Sequence, residues 1–365
     1  MLRIIHTQRL VRATNLTAAP FKVATRTAWS RNITSTQALT QQQSSTASSL
    51  DEWTHTIQAH TTTMHDTADL NKARQLLLVL PNLSTASSSV TSSRRLLDKH
   101  TGEEALAAKP GSSMPLGSEL VLFNPLLSET TLGTDGTERT FGPPGGLDQR
   151  MWASGSFEFE QGKQLKIGQE IQCEVAVESV QPKEGAKTGM MVLVTRKLSY
   201  TSPDGLVMTE RRCHVYRKQR PADQRKYVPP PAGKAPSVSD VEEKHSDFGF
   251  DYYATRAALF RYSAATFNAH RIHLDPEYCR NEEGHPDCLV HGPLTATLLL
   301  NLMASAAQEA SGQVNKFEYR ATSPLTVEQK IRLRGAWEDS DKKKASLWAL
   351  NEAGTVCMTA KATLF

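Results

Sequence analysis

GPLTATLLLNLMASAAQEA, residues 292–310, decides the architecture. Leu294, Leu298, Leu299, Leu300, Leu302, Met303 and Ala306 fall on nearly every side of an α-helix, and the polar interruptions between them are small. A helix apolar all round must be covered on all sides. At this length it reads as a buried central helix rather than a membrane span. Pro293 suits the first helical position, where its missing N–H is no loss.

What surrounds this helix is strand-like. After it come IRLRGAW (331–337), ASLWAL (345–350) and TVCMTAKATLF (355–365), the last alternating Val356, Met358, Ala360, Ala362 and Leu364. Upstream, IQCEVAVESV (171–180) alternates Ile171, Cys173, Val175 and Val177 with polar residues, the period of a half-buried strand. MMVLVTRKLSY and LVMTERRCHVY follow, joined by SPDG (202–205), a hairpin signal. FEFEQGKQLKIGQEI (157–171) lines up with FEYRATSPLTVEQKI (317–331) at a constant offset of 160, matching Phe157 to Phe317, Leu165 to Leu325 and Ile171 to Ile331. Such an ordered echo points to a duplicated β-rich unit. The same offset carries the central helix onto 132–150, a Gly/Pro-rich stretch with no helical pattern. The predicted fold is α+β, a tandem hot dog: antiparallel sheets around a central helix that is clear only in the C-terminal repeat.

The expected domains are a degenerate first repeat over 51–218, a Pro- and charge-rich linker over 219–245 and a second, catalytic repeat over 246–365. Within the first, a helix is predicted near 68–80, and 82–118, rich in Ser, Thr and Ala, reads as an insertion. SELVLFNPLL (118–127) reads as a short strand or lid. Residues 1–50 contain arginines and many hydroxyl residues but no acid before Asp51, the composition of a mitochondrial presequence. A net charge of +4 is too small to imply nucleic acid, and no apolar run reaches the length of a membrane span. Five cysteines form no disulfide framework. Cys279, His285, Cys288 and His291 lack the paired spacing of structural zinc, so neither a metal nor a cofactor is expected.

The chemistry-bearing stretch is YSAATFNAHRIHLDPEY (262–278), with LVHGPL (289–294) downstream. These residues resemble the MaoC-like, or hydratase type 2, hot-dog dehydratases. The resemblance extends over about 120–365 and is strongest to fungal mitochondrial hydroxyacyl-thioester dehydratases of type 2, with bacterial mesaconyl/itaconyl-CoA hydratases also similar. It puts His273 at the family's histidine and Asn268 where the broader family has an acid; His270 and Arg271 replace an Asn-Pro pair. What it implies is a 3-hydroxyacyl-thioester dehydratase, a hydro-lyase of mitochondrial type II fatty-acid synthesis in the matrix. Its substrate would ride on acyl carrier protein or CoA. The alternatives are a hydratase of short or dicarboxylic CoA esters, with Arg256, Arg261 or Arg271 as the extra cation, a hot-dog thioesterase, or a non-catalytic acyl-binding protein. A tandem hot dog already contains a pseudo-dimer, so a monomer or a homodimer fits.

Dehydration needs a base for the C2 proton, a proton for the departing hydroxide and donors for the thioester oxyanion. His273 is the candidate base, because imidazole titrates near neutral pH. Asn268 has no proton to give; its amide either orients the hydroxyl or caps a turn. If the segment is extended, His270 and His273 point to opposite faces and only one meets substrate. Arg271 is either a phosphate contact or a solvated surface group. Gly292 opens the helix, where free amides suit an oxyanion, and serves equally as a plain joint, with His291 shaping the loop.

Overall fold

The computed structural model of the chain describes residues 47–81, 102–185, 189–229 and 245–365. Most of the expected presequence, residues 82–101 of the insertion and residues 230–244 of the linker lie outside them. Strands β1 (Thr61–Thr67), β2 (Gln149–Phe159), β3 (Glu170–Gly185), β4 (Gly189–Ser202) and β5 (Gly205–Arg217) come from the first half. The second half supplies β6 (Phe248–Tyr253), β7 (Val314–Ala321), β8 (Lys330–Trp337), β9 (Lys344–Leu350) and β10 (Val356–Leu364). The helices are α1 (Ala47–Ala59), α2 (Leu70–Leu77), α3 (Glu103–Ala107), α4 (Arg256–Ala265), the single turn α5 (Pro276–Tyr278) and α6 (Gly292–Glu309).

All ten strands join one antiparallel sheet in the order β1-β3-β4-β5-β2-β7-β10-β9-β8-β6. The order is a palindrome of roles: each half contributes the same five-strand sequence, and the two meet at β2 and β7. In an antiparallel pair, equivalent residues of a repeat face each other at one point only, where a pseudo-two-fold axis crosses. Phe157 lies directly opposite Phe317 in that register, so the offset of the sequence echo marks the axis. Both rings are buried, with centroids 6.4 Å apart.

The alternation of β3 buries Ile171, Cys173, Val175 and Val177 on one face. In β10 a register shift between Val356 and Met358 adds Cys357 to the buried set. The edge strand β6 turns Phe248, Phe250 and Tyr252 into the core and Asp251 to the opposite face, where it is buried and paired with Arg334 of β8 at 2.7 Å. Helix α6 fills the concave face of the second half-sheet, burying Leu294, Leu298, Leu299, Leu300, Leu302, Met303 and Ala306. Each fully buried leucine contributes roughly 2 kcal/mol of transfer free energy. Pro293 stands in its first turn, one position after the expected first, which Gly292 takes. No described helix is long and apolar enough to cross a membrane.

The first half has no such helix among its described residues. Residues 114–147 run through that region instead as loops and two 3₁₀ turns, Ser118–Leu120 and Glu129–Thr131. This corrects the expectation of a strand in SELVLFNPLL. Gly117, at φ 91°, turns the chain into the first 3₁₀ turn, and the Phe123 N–H donates to the Asp66 carboxylate at 3.0 Å rather than to a neighbouring strand. Val121 and Leu122 are buried. A Cβ at Gly117 would lie 2.5 Å from Cγ2 of Thr297, so this segment seats directly against α6. The described part of the linker is also anchored: Arg220 donates to the carbonyl of Glu283 at 2.9 Å, and the Tyr227 N–H to that of Arg280 at 2.7 Å.

Phe317→Ala should cost about 3–5 kcal/mol, read as a lower midpoint in urea unfolding followed by circular dichroism, because the cavity opens at the seam between the half-sheets.

Candidate active site

Helix α4 starts at Thr255, whose hydroxyl accepts the Ala258 N–H at 3.1 Å, and ends at Thr266. Phe267 takes the left-handed conformation (φ 51°) and reverses the chain. The Asn268 side-chain oxygen then accepts the His270 N–H at 3.0 Å, so this amide does close a turn. Residues Arg271–His273 form a 3₁₀ turn, not an extended segment. That overturns the opposed-faces expectation: in a 3₁₀ turn, positions i and i+3 eclipse. The rings of His270 and His273 meet edge to face with centroids 5.5 Å apart.

His273 is held from two sides. Its Nδ1 lies 2.8 Å from the Leu289 carbonyl. A carbonyl only accepts, so Nδ1 carries the proton and Nε2 keeps a free lone pair. Below it lies His291, fully buried, with ring centroids 3.7 Å apart. His291 Nε2 shares a 2.8 Å hydrogen bond with the Ser263 hydroxyl. Burial pushes His214, His270 and His291 well below the usual imidazole range. His273 is pushed down to about 4, burial again being the main cause and the charge of Arg150 adding to it.

The other predicted residues separate. Gly292 opens α6 as expected, and a Cβ there would lie 3.2 Å from the Trp152 side chain, so the glycine also lets β2 of the first half approach. Arg271 pairs with Asp275 at 2.8 Å and covers the Tyr278 ring at 4.3 Å; it does not line the cavity. Arg256 is engaged outside the cavity with Asp287 at 2.7 Å. Cys279 donates to the Ile272 carbonyl, and His291 is bonded to Ser263.

A cavity of about 950 Å³ joins the two halves. Asn268, His270, His273 and Gly292 line one side. Arg150, Trp152, Arg196 and His214, from β2, β4 and β5, line the other. Arg212 is neutralised by buried Glu210 and also reaches the Tyr200 hydroxyl at 3.1 Å. Beside them the buried Glu119 carboxyl is pushed up to about 8 by desolvation and by Glu210.

One group in the site escaped sequence reasoning. Asp135, buried in the loop Gly133–Thr137 of the first half, places Oδ2 3.8 Å from His270 Nε2. Its backbone carbonyl accepts the Arg271 N–H at 2.8 Å. The signal was the GTDGT turn lying at the offset position of the missing helix.

The model of the hydroxyacyl-thioester dehydratase type 2 family matches residues 117–327, more than half of the chain, and spans both faces of this cavity. The chain belongs to that family. It is a hydro-lyase. It is 32% identical over 205 residues, 56% of this chain and 68% of the relative, to mesaconyl-C(4)-CoA hydratase of Chloroflexus aurantiacus. It is 25% identical over 240 residues to the mitochondrial hydroxyacyl-thioester dehydratase type 2 of Schizosaccharomyces pombe, covering 61% of this chain and 77% of that one. Among solved structures the fold is similar to a MaoC-like dehydratase, with TM-score 0.55, 17% identity and coverage of 84% of this chain and 97% of that one. HtdX of Mycobacterium tuberculosis gives TM-score 0.52 at 16% identity, covering 84% of this chain and all of that one.

Three buried histidines and the half-buried His273, all held in the neutral form, make this dehydratase acid-sensitive. Their folded pKa values lie below the unfolded value near 6.5, so the unfolded chain binds more protons as pH falls. The stability they contribute is complete above about pH 6.5 and is lost progressively from there toward pH 4, which thermal melts at stepped pH would register as a falling midpoint.

Proposed function

We propose that this dehydratase interconverts 3-hydroxyacyl and trans-2-enoyl thioesters, with His273 as the base. The observation that carries the reading is the hydrogen bond from His273 Nδ1 to the Leu289 carbonyl, which leaves Nε2 as an acceptor on the cavity side. In dehydration Nε2 takes the C2 proton, and the C–H electron pair passes toward the thioester oxygen. The first turn of α6, at Gly292, offers amides and the positive end of the helix dipole for that oxygen. The C3–O bond then breaks, and the leaving hydroxide takes the proton back from Nε2 as water. One imidazole thus ends in its starting state, and no carboxylic acid is required at position 268. Asn268 uses its oxygen to hold the His270 N–H, which leaves its NH₂ to steady the hydroxyl.

Mitochondrial type II fatty-acid synthesis, in the matrix and with the acyl group on acyl carrier protein, is the cellular setting that best unites two supports. One is the acid-free, Arg-bearing composition of residues 1–50; the other is the resemblance to the yeast mitochondrial dehydratases. A second reading rests on Arg150 and Arg196. Both line the cavity, and neither forms an ion pair among the described residues. Arg196 lies over the Phe141 ring at 4.4 Å with its Nε buried and unbonded, and Glu138 acts on it only through space. Such a wall favours an acyl group that bears its own carboxylate, as the name of the Chloroflexus relative does.

His273→Ala should lower turnover of an enoyl thioester roughly 10²–10⁴-fold, followed by loss of the enoyl absorbance; equal rates would remove His273 from the chemistry. In the wild type the acid limb of kcat/KM should fall with an apparent pKa near 4, not near the ordinary histidine value. Arg150→Gln with Arg196→Gln separates the two substrate readings. Using N-acetylcysteamine thioesters, which carry no phosphate, a selective loss on carboxylate-bearing acyl groups supports the second reading, and equal rates on both acyl classes support the first.

A further inference from the structure

With an amide at position 268, a carboxylate enters the site from the other half of the chain. Asp135 is 7% exposed, and its Oδ1 accepts both the Thr137 N–H at 3.0 Å and the Thr137 hydroxyl at 2.7 Å. These two bonds fix the carboxylate plane and leave Oδ2 turned toward His270 Nε2, 3.8 Å away. The loop has little freedom to move off. A Cβ at Gly136, which sits at φ 80°, would lie 2.1 Å from the Ala269 carbonyl, and the Asp135 carbonyl holds the Arg271 N–H. The carboxylate is therefore docked on the backbone of the same turn that presents His270 and His273. A separation of 3.8 Å is not a hydrogen bond, but contacts in an empty site commonly tighten when the reactants bind.

We propose that Asp135 is a positioning residue that holds His270 as its Nε2–H tautomer, so that His270 Nδ1 and His273 Nε2 together accept the two hydrogens of the reacting water. This rests on the hydratase reading above. A carboxylate only accepts, so an Nε2–H facing Oδ2 leaves Nδ1 as the ring's acceptor. The atoms balance in the hydration direction. One water hydrogen passes to His273 Nε2 and from there to C2, the water oxygen bonds to C3, and the second hydrogen stays on that oxygen, held by His270 Nδ1. Asp135 and His270 exchange no net proton; they aim the oxygen.

Asp135→Asn tests this while keeping the loop, because an amide oxygen still accepts both Thr137 bonds. Its NH₂ would now face Nε2 and force the opposite tautomer. Nitrogen-15 spectra of histidine-labelled full-length chain, with the His270 signals identified by their loss in His270→Gln, should report Nε2–H in the wild type and Nδ1–H in Asp135→Asn. With crotonyl-CoA as probe, each single variant should lose about 10–100-fold in kcat with little change in KM, and the double variant should be no slower than the slower single one. Losses that multiply in the double variant, or Nδ1–H at His270 in the wild type, would overturn the proposal. If the wild type does not hydrate crotonyl-CoA, the reaction reading fails and the tautomer measurement still decides on Asp135. Should Asp135→Asn misfold, Thr137→Val loosens the same carboxylate without altering charge and should shift the same signals partway.

Discussion

One helix that must be dry on every side organises this molecule. Eleven residues of α6 are buried around its circumference, and a half-sheet covers only one flank. The other flank has to come from the first half, and it does so through close approaches that only small residues allow. Gly117 meets Thr297 of α6, and Gly292 of α6 meets Trp152. Gly136 meets Ala269, just before the histidine turn. The need to cover α6 is therefore what brings the first half to the cavity.

That need also explains why the two repeats have diverged. A repeat that gives up its own helix frees the inner face of its strands. On that face β2, β4 and β5 carry Arg150, Arg196, Arg212 and His214, groups that a packed apolar helix would not tolerate. The second repeat keeps the helix and the histidine turn, while the first supplies the opposing wall and Asp135. The space on that face is thus partly cationic.

Much of this was legible in the residues themselves. The all-round apolar run of α6 and the period-two runs of β3, β4, β5 and β10 carry their own geometry, and the offset of 160 marked the Phe157–Phe317 seam. What stayed hidden was set at long range. FNAHRIHLD reads equally well as extended chain. The 3₁₀ turn within it depends on the Asn268 side chain locally and on the Asp135 carbonyl, more than a hundred positions away. Asp135 was invisible because it acts across the halves. Arg196 was invisible because strand alternation tells which residues share a face and not whether a helix covers that face. SELVLFNPLL misled because apolar content stood in for alternation.

Asp251 on β6, on the face away from the core, pins the border of the sheet. A ten-stranded open sheet leaves two free borders, β1 and β6, where another chain could add itself. On β6 the ion pair of Asp251 with Arg334 fixes which residues point inward. A slip of one residue would turn the carboxylate into the core in place of Phe250 and Tyr252 and strand Arg334 without its partner. The same contact therefore holds this border strand in a single register against β8, with its three aromatic rings on the side of α6.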